Sequence, residues 1–379
     1  MLSFWEINTF GQYDVAIIGS GITGLSLACS LKEKNPKLKI VIIERGTFPA
    51  GASTKNAGFA CFGSACEILS DIKLMGEEQA LALVEKRVKG LHMLRARLGD
   101  DKLDYLEQGG GELLFKNESV EPDQIEYLNK LLYNIHLKEV FKFDTGKINS
   151  YGFNQDLFSG FISNSCEGQI DTGLAMHNLW QYTVSLGVDI MNGANVDEID
   201  AHNDEVHIIV DLQPSGRYIL KAKKVAVCTN AFTGKFFPDL DIAPGRGQIL
   251  ITQPIPNLKF KGIFHFDDGY FYFRDYYDRV IFGGGRNMDF KMETTTDIAL
   301  NEDIQQRLSY YLKELILPHQ AFEIDHRWAG IMAFGKDKTP IVKQVDKNIY
   351  AACRLNGMGI AIGSLIGEEL ADLMMNDKL

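Results

Sequence analysis

Apolar residues run unbroken over positions 15–18 (VAII) and 40–43 (IVII), and between them Leu25, Leu27, Ala28 and Leu31 recur at helical spacing. Short unbroken runs suit strands covered on both faces, so residues 13–44 predict a strand, a glycine turn, a helix and a second, parallel strand. Asn35 and Pro36 end the helix, because proline lacks the backbone donor and biases the residue before it away from helical angles. Further on, Leu81, Val84, Val88, Leu91, Leu94 and Leu98 fall on one face of a long helix over residues 77–98. Three glycines at 109–111 precede a short strand-like ELLF and an amphipathic helix around 125–132. Another helix is predicted over 172–186, with Asp171 or Thr172 capping its first turn.

Four β-rich runs follow at 188–191, 196–199, 206–210 and 218–220, and Pro214-Ser215-Gly216 marks a turn between the last two. They predict a small antiparallel meander. The run 225–228 (VAVC) then reads as a buried parallel strand that opens onto Thr229-Asn230-Ala231. Between 248 and 283 the runs QILIT, IFHF, YFYFR and RVIFG predict a second, mainly antiparallel sheet, and 357–375 a glycine-rich turn leading into an amphipathic helix. The expected class is α/β: a Rossmann-type domain with a parallel sheet and an antiparallel meander, plus a second domain built on a mainly antiparallel sheet with helices. Segments 1–90, 151–243 and 326–379 are assigned to the first domain, and 91–150 and 244–325 to the second.

With 379 residues, 45% of them hydrophobic, the chain is long enough for two domains sharing an apolar interior. Fifty acidic against 39 basic residues give a formal charge of −11, which leaves no basic field for nucleic acid or an anionic membrane and favours a small soluble substrate. Cysteines at 29, 61, 66, 166, 228 and 353 show no CxxC pair and no zinc or disulfide spacing, so reduced thiols and no metal site are expected. The opening MLSFWEINTFGQYD lacks a basic stretch followed by an apolar one, and no apolar run reaches about 18 residues, so no membrane span and a cytoplasmic location are expected. Oligomeric state leaves no mark on the pattern.

The first candidate site is Gly19-Ser20-Gly21-Ile22-Thr23-Gly24, which follows the first predicted strand and opens the first predicted helix. In that context Gly19 permits the tight turn, Gly21 the approach of a pyrophosphate and Gly24 the close packing of helix on sheet. The helix terminus then offers free amide donors and a positive dipole end to phosphate. Glu44, 20 residues past Gly24 and followed by Arg45, closes the second strand where a carboxylate can accept both ribose hydroxyls.

From Gly51-Ala52-Ser53-Thr54-Lys55-Asn56-Ala57-Gly58 onward the chain resembles the D-amino acid oxidase superfamily of FAD enzymes, in particular its glycine oxidase and sarcosine oxidase branch. Pro244-Gly245-Arg246-Gly247-Gln248 is similar to the family's PxRGQ segment, residues 225–231 to the strand and loop beneath the adenine half, and Leu355-Asn356-Gly357-Met358-Gly359-Ile360 to its carboxyl-terminal flavin loop. The resemblance implies that Ser53, Thr54 and Asn56 hold the ribityl and pyrophosphate region, that Ala52, Ala57 and Gly58 let the chain pass close to the isoalloxazine, and that Val196, Thr229 and Asn230 serve the adenosine end. It implies further that the turn through Asn356, Gly357, Met358, Gly359 and Ile360 aims amides and a helix start at the flavin's pyrimidine edge. Relatives with covalent flavin use a cysteine near residues 328–335 or a histidine near Ser53; both stretches lack those residues, so a noncovalent cofactor is expected.

The family reaction moves a hydride from the carbon beside an amine to the flavin, giving an imine that water hydrolyses. Such a step depends on orientation more than on an acid or base, so no catalytic side chain is assigned. Tyr270, Tyr272 and Arg274 are the candidate wall over the flavin, whereas Phe271 and Phe273 point to the opposite face of their strand. Amino-acid-oxidising relatives clamp the substrate carboxylate with an arginine, but the corresponding segment 330–333 has none; Arg354, Arg327 and Arg286 are the alternatives. His265 and His326 lie near the expected pocket, where a lone histidine is more often structural. The oxygen-activating lysine of sarcosine oxidases is missing from the strand matching 279–283, which leaves the acceptor open between oxygen and a quinone or other carrier. Three other readings share the fold: an FAD-dependent 2-hydroxy-acid dehydrogenase, an NAD-linked dehydrogenase, against which the second glycine turn counts, and a flavoprotein partner in RNA modification, against which the acidic charge counts.

Overall fold

The computed structural model describes residues 3–212 and 216–377. Strand Gln12–Ile18 sits at the middle of a parallel sheet, with Val15 opposite Ile40 on one side and opposite Lys224 on the other. Sheet order is Ile341–Asp346, Ile349–Cys353, Gly216–Val227, Gln12–Ile18, Ile40–Ile43, Asp189–Met191. Val15, Ala16 and Ile17 are wholly buried, because helices cover one face of this sheet and a hairpin layer the other. Helix Ile22–Lys34 ends at Asn35 as expected and packs on helix Gly359–Asn376, where a Cβ on Gly367 would come within 2.7 Å of the Leu27 amide nitrogen. The long helix Glu77–Leu98 lies against the same element: a Cβ on Gly90 would stand 2.3 Å from the Ala361 carbonyl oxygen. Helix Thr172–Ser185 is capped by Asp171, whose side chain accepts from the Leu174 amide at 2.8 Å.

The meander differs from its expected form. Asp189–Met191 joins the parallel sheet beside Ile40–Ile43, and the antiparallel part consists of Ala194–His202, Glu205–Leu212 and the first half of Gly216–Val227. The last of these is one continuous strand of 12 residues, whose second half pairs in parallel with Gln12–Ile18. Alternation alone could not show this, since polar Lys221, Lys223 and Lys224 separate the two apolar stretches. Of the predicted turn Pro214-Ser215-Gly216, the first two residues lie outside the described ones.

A second eight-stranded sheet runs in the order Ile324–Phe334, Ala243–Thr252, Arg279–Gly284, Phe271–Tyr276, Ile263–Phe266, Gly110–Phe115, Phe158–Asn164, Phe141–Phe143. It is antiparallel except where Ile263–Phe266 meets Gly110–Phe115. One face carries a phenylalanine core, Phe161, Phe260, Phe264, Phe266, Phe271, Phe273 and Phe282, closed by Ile304, Leu308 and Leu312 from the helical segment beside it. The opposite face looks toward the first sheet. Phe158–Asn164 and all but the first two residues of Ile324–Phe334, assigned to the first domain from sequence, hydrogen bond into the second sheet. Among the described residues no helix is long and apolar enough to cross a membrane.

Candidate cofactor and substrate cavity

Between the two sheets lies a cavity of about 860 Å³ lined by both glycine turns, the one near residue 20 and the one near residue 358. The first turn is dictated by backbone crowding. Gly19 has φ +100°, and a Cβ there would sit 2.8 Å from the Cys228 carbonyl oxygen, while one on Gly24 would sit 2.0 Å from the carbonyl oxygen of Gly19. Gly21 is the N-cap of the following helix and brings no capping side chain; instead Ser53, from a distant loop, accepts from the Ile22 amide at 3.0 Å. The Ser53 hydroxyl proton and the remaining first-turn amides stay available to an anion.

Glu44 is fixed where the ribose rule places it. Its Oε2 accepts from the Ser20 amide (3.0 Å) and hydroxyl (2.8 Å), its Oε1 from the Gly46 amide (2.8 Å), and both oxygens keep acceptor capacity toward the cavity they line. Arg45 stacks 4.0 Å over Phe232, and Lys235 donates to the Val196 carbonyl at 2.7 Å, which together form the end wall. Thr229 and Asn230 line the neighbouring stretch. At the other turn Asn356 and Gly357 both adopt left-handed angles, φ +49° and +80°, and helix Gly359–Asn376 starts without a side-chain cap, so its first amides are open. Leu355 to Ile360 all line the cavity.

Several predicted residues act from behind the wall. Ser20, Gly24, Thr54 and Gly58 are not part of the lining. Thr54 donates its hydroxyl to the Pro49 carbonyl at 2.7 Å, and Gly58 is required by the protein itself, since with φ +77° a Cβ there would meet the Ile170 carbonyl oxygen at 2.4 Å. Asn56 lines the cavity, but its amide group is occupied: it donates to the carbonyls of Ala52 and Ser53 and accepts from the Gly58 amide and the Thr172 hydroxyl. Asn56 thus shapes the loop that carries Ser53 and Ala57.

The second sheet supplies the opposite wall. His265 faces Tyr272, and Tyr272 faces Gly283, across adjacent strands. A Cβ on Gly283 would stand 2.8 Å from the Tyr272 ring, so the glycine gives that ring room to lie across the sheet. Burial pushes the Tyr272 hydroxyl up to about 12, so it is a neutral donor. Tyr270 is at the rim. Phe271 and Phe273 turn into the phenylalanine core. The arginines sort differently from expectation. Arg354 is buried with its guanidinium on Asp241 (2.6 Å), Asp337 (2.8 Å) and the Thr339 carbonyl; Arg327 donates to Gln305 and Ser309; Arg274 donates to the carbonyls of Ala57 and Ile170, with burial holding it down to about 10. None of the three lines the cavity, so none is a wall or clamp residue. Arg286 does line it. Among the described residues its guanidinium has no hydrogen-bond partner, and it packs on the rings of Phe334 (3.9 Å) and Phe290 (4.8 Å). Burial lowers its pKa from the ordinary arginine value, with Tyr270 and Tyr272 opposing, and it stays charged.

Some of the lining escaped the sequence. In the lining, Lys338 bridges Glu67 (3.2 Å) and Asp71 (2.6 Å), and buried Arg87 pairs with Glu67 from behind (3.2 Å). Burial pushes the Glu67 carboxyl up, but Arg87 and Lys338 outweigh it and hold it at about 2. Partners 271 residues apart leave no local signal. His265, held neutral by burial at about 4, makes no hydrogen bond and leans on Phe59. His326 stacks on Trp328 outside the cavity. Cys61 lines the cavity 3.8 Å from the Met358 sulfur, and burial raises its thiol well above the ordinary value, which keeps it protonated.

The loop bearing Cys61 is clamped by two buried carboxyls. Glu167 accepts from the amides of Phe62 and Gly63, and Glu112 from the Ser64 hydroxyl and the Cys66 amide. Burial pushes Glu167 up to about 8 and Glu112 up to about 7, more than these donors can offset. A carboxyl raised in the folded chain keeps a proton that the unfolded chain has lost, so its stabilising contribution is full below the ordinary value of 4.5 and is lost as pH rises toward 8. Glu167→Gln, which keeps an acceptor and removes the titration, is expected to flatten the fall in urea midpoint between mildly acidic and mildly alkaline pH. An unchanged slope would refute this.

The model of the FAD dependent oxidoreductase family matches residues 14–373. The chain belongs to this family. Its similarity to individual relatives is distant but complete in extent. It is 23% identical to the γ-glutamylputrescine oxidoreductase of Escherichia coli over 99% of this chain and 86% of that one, and 22% identical to the D-amino acid dehydrogenase of Helicobacter pylori over 95% and 94%. Among solved structures, glycine oxidase from Geobacillus kaustophilus superposes with a TM-score of 0.76 at 20% identity, covering 97% of this chain and 95% of that one. L-proline dehydrogenase from P. horikoshii gives 0.78 at 18%, with the same coverage. At these identities the structures speak for the fold. The oxidoreductase's own geometry fits the family cofactor: a first glycine turn where a Cβ on Gly19 would collide with backbone and one on Gly21 would crowd Ser53 Oγ at 3.1 Å, a second turn held in left-handed backbone at Gly357 (φ +80°), a fixed carboxylate at Glu44, and two helix starts whose N-cap residues bring no capping side chain all face one cavity.

Proposed function

We propose that this FAD dependent oxidoreductase holds FAD noncovalently and oxidises the C–N bond of an amino acid or carboxylate-bearing amine, yielding an imine that hydrolyses in water. The observation that carries this reading is Arg286, a cation with no hydrogen-bond or ion-pair partner among the described residues, set on aromatic rings inside the cavity beside Tyr270 and Tyr272. A carboxylate is the anion its planar fork matches. FAD supplies the hydride acceptor when bound. Ile22 and its neighbouring amides, with Ser53, would meet the pyrophosphate, Glu44 the ribose, and the amides at Gly359 and Ile360 the far edge of the ring system. On the facing wall Tyr272 and neutral His265 add no charge near the reacting carbon, so the substrate amine is oriented by its carboxylate end and by shape. A D-amino acid dehydrogenase and a γ-glutamylputrescine oxidoreductase among the relatives agree with an amine donor.

The deciding experiment is anaerobic titration of the yellow protein with a panel of amines, D- and L-amino acids and 2-hydroxy acids. Bleaching by an amino acid is expected. Bleaching only by 2-hydroxy acids would keep the fold and the role of Arg286 and overturn the C–N chemistry. Noncovalent attachment is supported by the lack of cysteine in Ile324–Phe334 and of histidine in 51–58, and by the protonated thiol of Cys61. Acid precipitation is expected to leave all the yellow colour in the supernatant.

A further inference from the structure

On the wall that faces the cofactor turns, Gly283, Tyr272 and His265 stand opposite one another on the neighbouring strands Arg279–Gly284, Phe271–Tyr276 and Ile263–Phe266. Residues directly opposite share a face of the sheet, and Tyr272 and His265 both line the cavity. Arg286 follows the first strand and acts on Tyr272 by its charge. Neighbouring strands lie about 4.8 Å apart, so the row from that strand to His265 is roughly 10 Å wide. Beyond His265 the row ends at Glu112, whose carboxyl is taken by the Ser64 hydroxyl and the Cys66 amide. His265 itself is 8% exposed, and among the described residues neither ring nitrogen has a hydrogen-bond partner. Its ring is seated by aromatic edges instead: Phe59 meets it at 5.2 Å and meets Tyr272 at 5.6 Å. Buried polar side chains are paired as a rule, so a bare imidazole in a cavity wall marks a place where a ligand completes the pairing.

We propose that His265 is a specificity-determining residue, which hydrogen-bonds the far end of the substrate's side chain, and that this end is an uncharged carboxamide. The inference rests on the proposed function for the carboxylate at Arg286: an amino acid anchored there runs along the row, past Tyr272, and brings its side chain to His265. Burial keeps the ring neutral, so it has one donor and one acceptor, and a carboxamide answers both. A charged end group finds no free counter-charge beside it. The charge that acts on His265 is that of Glu67, and Glu67 is already matched by Arg87 and Lys338. A purely apolar side chain would leave the imidazole unpaired and sealed from water.

The test uses the FAD-loaded protein and two pairs of amine-free carboxylates of matched shape, succinamate with 4-methylpentanoate and glutaramate with 5-methylhexanoate, so that binding is read from the flavin absorbance without turnover. In at least one pair the carboxamide is expected to bind at least about tenfold more tightly than its apolar isostere, because a site built to bond a polar group rejects the analogue that lacks it. His265→Phe brings that ratio to about one, and His265→Asn, which returns a donor and an acceptor, restores a preference for the carboxamide. A merely structural histidine would shift both members of a pair alike and leave the ratio unchanged. Equal binding within both pairs, a ratio that His265→Phe does not alter, or no binding of any of the four overturns the proposal. Anaerobic bleaching by asparagine and leucine, and by glutamine and 2-amino-5-methylhexanoate, each in both enantiomers, separates it from the reading it rests on. If the ratio behaves as expected but no amino acid bleaches the flavin, the C–N reading fails and the role of His265 stands. If the members of each pair bleach it equally well, the C–N reading stands and the role of His265 fails.

Discussion

Arg286→Met raises KM for the carboxylate-bearing substrate by roughly 10²–10³-fold, because removing one member of a desolvated, hydrogen-bonded charge pair costs about 2–5 kcal/mol, at about 1.4 kcal/mol per tenfold. The protein stays yellow and folded, since the guanidinium makes no hydrogen bond or ion pair among the described residues and packs on two rings that methionine can also cover. Arg286→Lys recovers only part of the loss, because an ammonium keeps the charge and gives up the fork. Arg354 is the matched control. Its donors are all spent on Asp241, Asp337 and Thr339, so Arg354→Met lowers the unfolding midpoint and leaves KM of the remaining folded enzyme near the wild-type value. Steady-state kinetics and urea melts on the two variants separate the roles. A large KM change from Arg354→Met and none from Arg286→Met would invert the assignment.

Arg246→Met destabilises the fold by roughly 3–5 kcal/mol, the cost of stranding a buried charge. Glu293 is wholly buried, and burial alone would push its carboxyl up; Arg246, Asn301 and Gln248 bring it below the ordinary range instead. Without Arg246 the carboxyl takes up a proton at higher pH. Its stabilising contribution, present above the ordinary carboxylate value and lost as pH falls through the depressed one, is then removed. The double variant R246M/E293M recovers much of the loss, since no unpaired charge remains. Urea midpoints for the two singles and the double measure the coupling, and simple additivity would show that the pair does not interact. Arg246 belongs to the family-like segment 244–248, and its structural partner is 47 residues away.

How much of this was legible depends on whether the cause is local. The turn at residues 19–24, the strand before it and the helix after it are set by adjacent residues, and each stands where the pattern put it. The same holds for Asp171 as a cap and for the inward and outward sorting of residues 270–273. Sequence failed where the deciding partner was remote. Sequence offers Arg274 as a wall residue and Arg354, Arg327 and Arg286 as clamp alternatives, and only packing shows that the first three are bonded within the protein and outside the cavity lining while Arg286 lines it. Asn56 reads as a cofactor contact until its four internal hydrogen bonds are counted. That Phe158–Asn164 and Ile324–Phe334 join the second sheet is not legible either, because a strand's sheet is chosen by its neighbours, which hydropathy does not name.

Strand Gly216–Val227 borders the hairpin that bears Val196 and, at its far end, releases Thr229 and Asn230 beside the first glycine turn. One continuous strand therefore links the hairpin that carries Val196 to the stretch of lining beside Gly19, so a shift of that strand would displace both together.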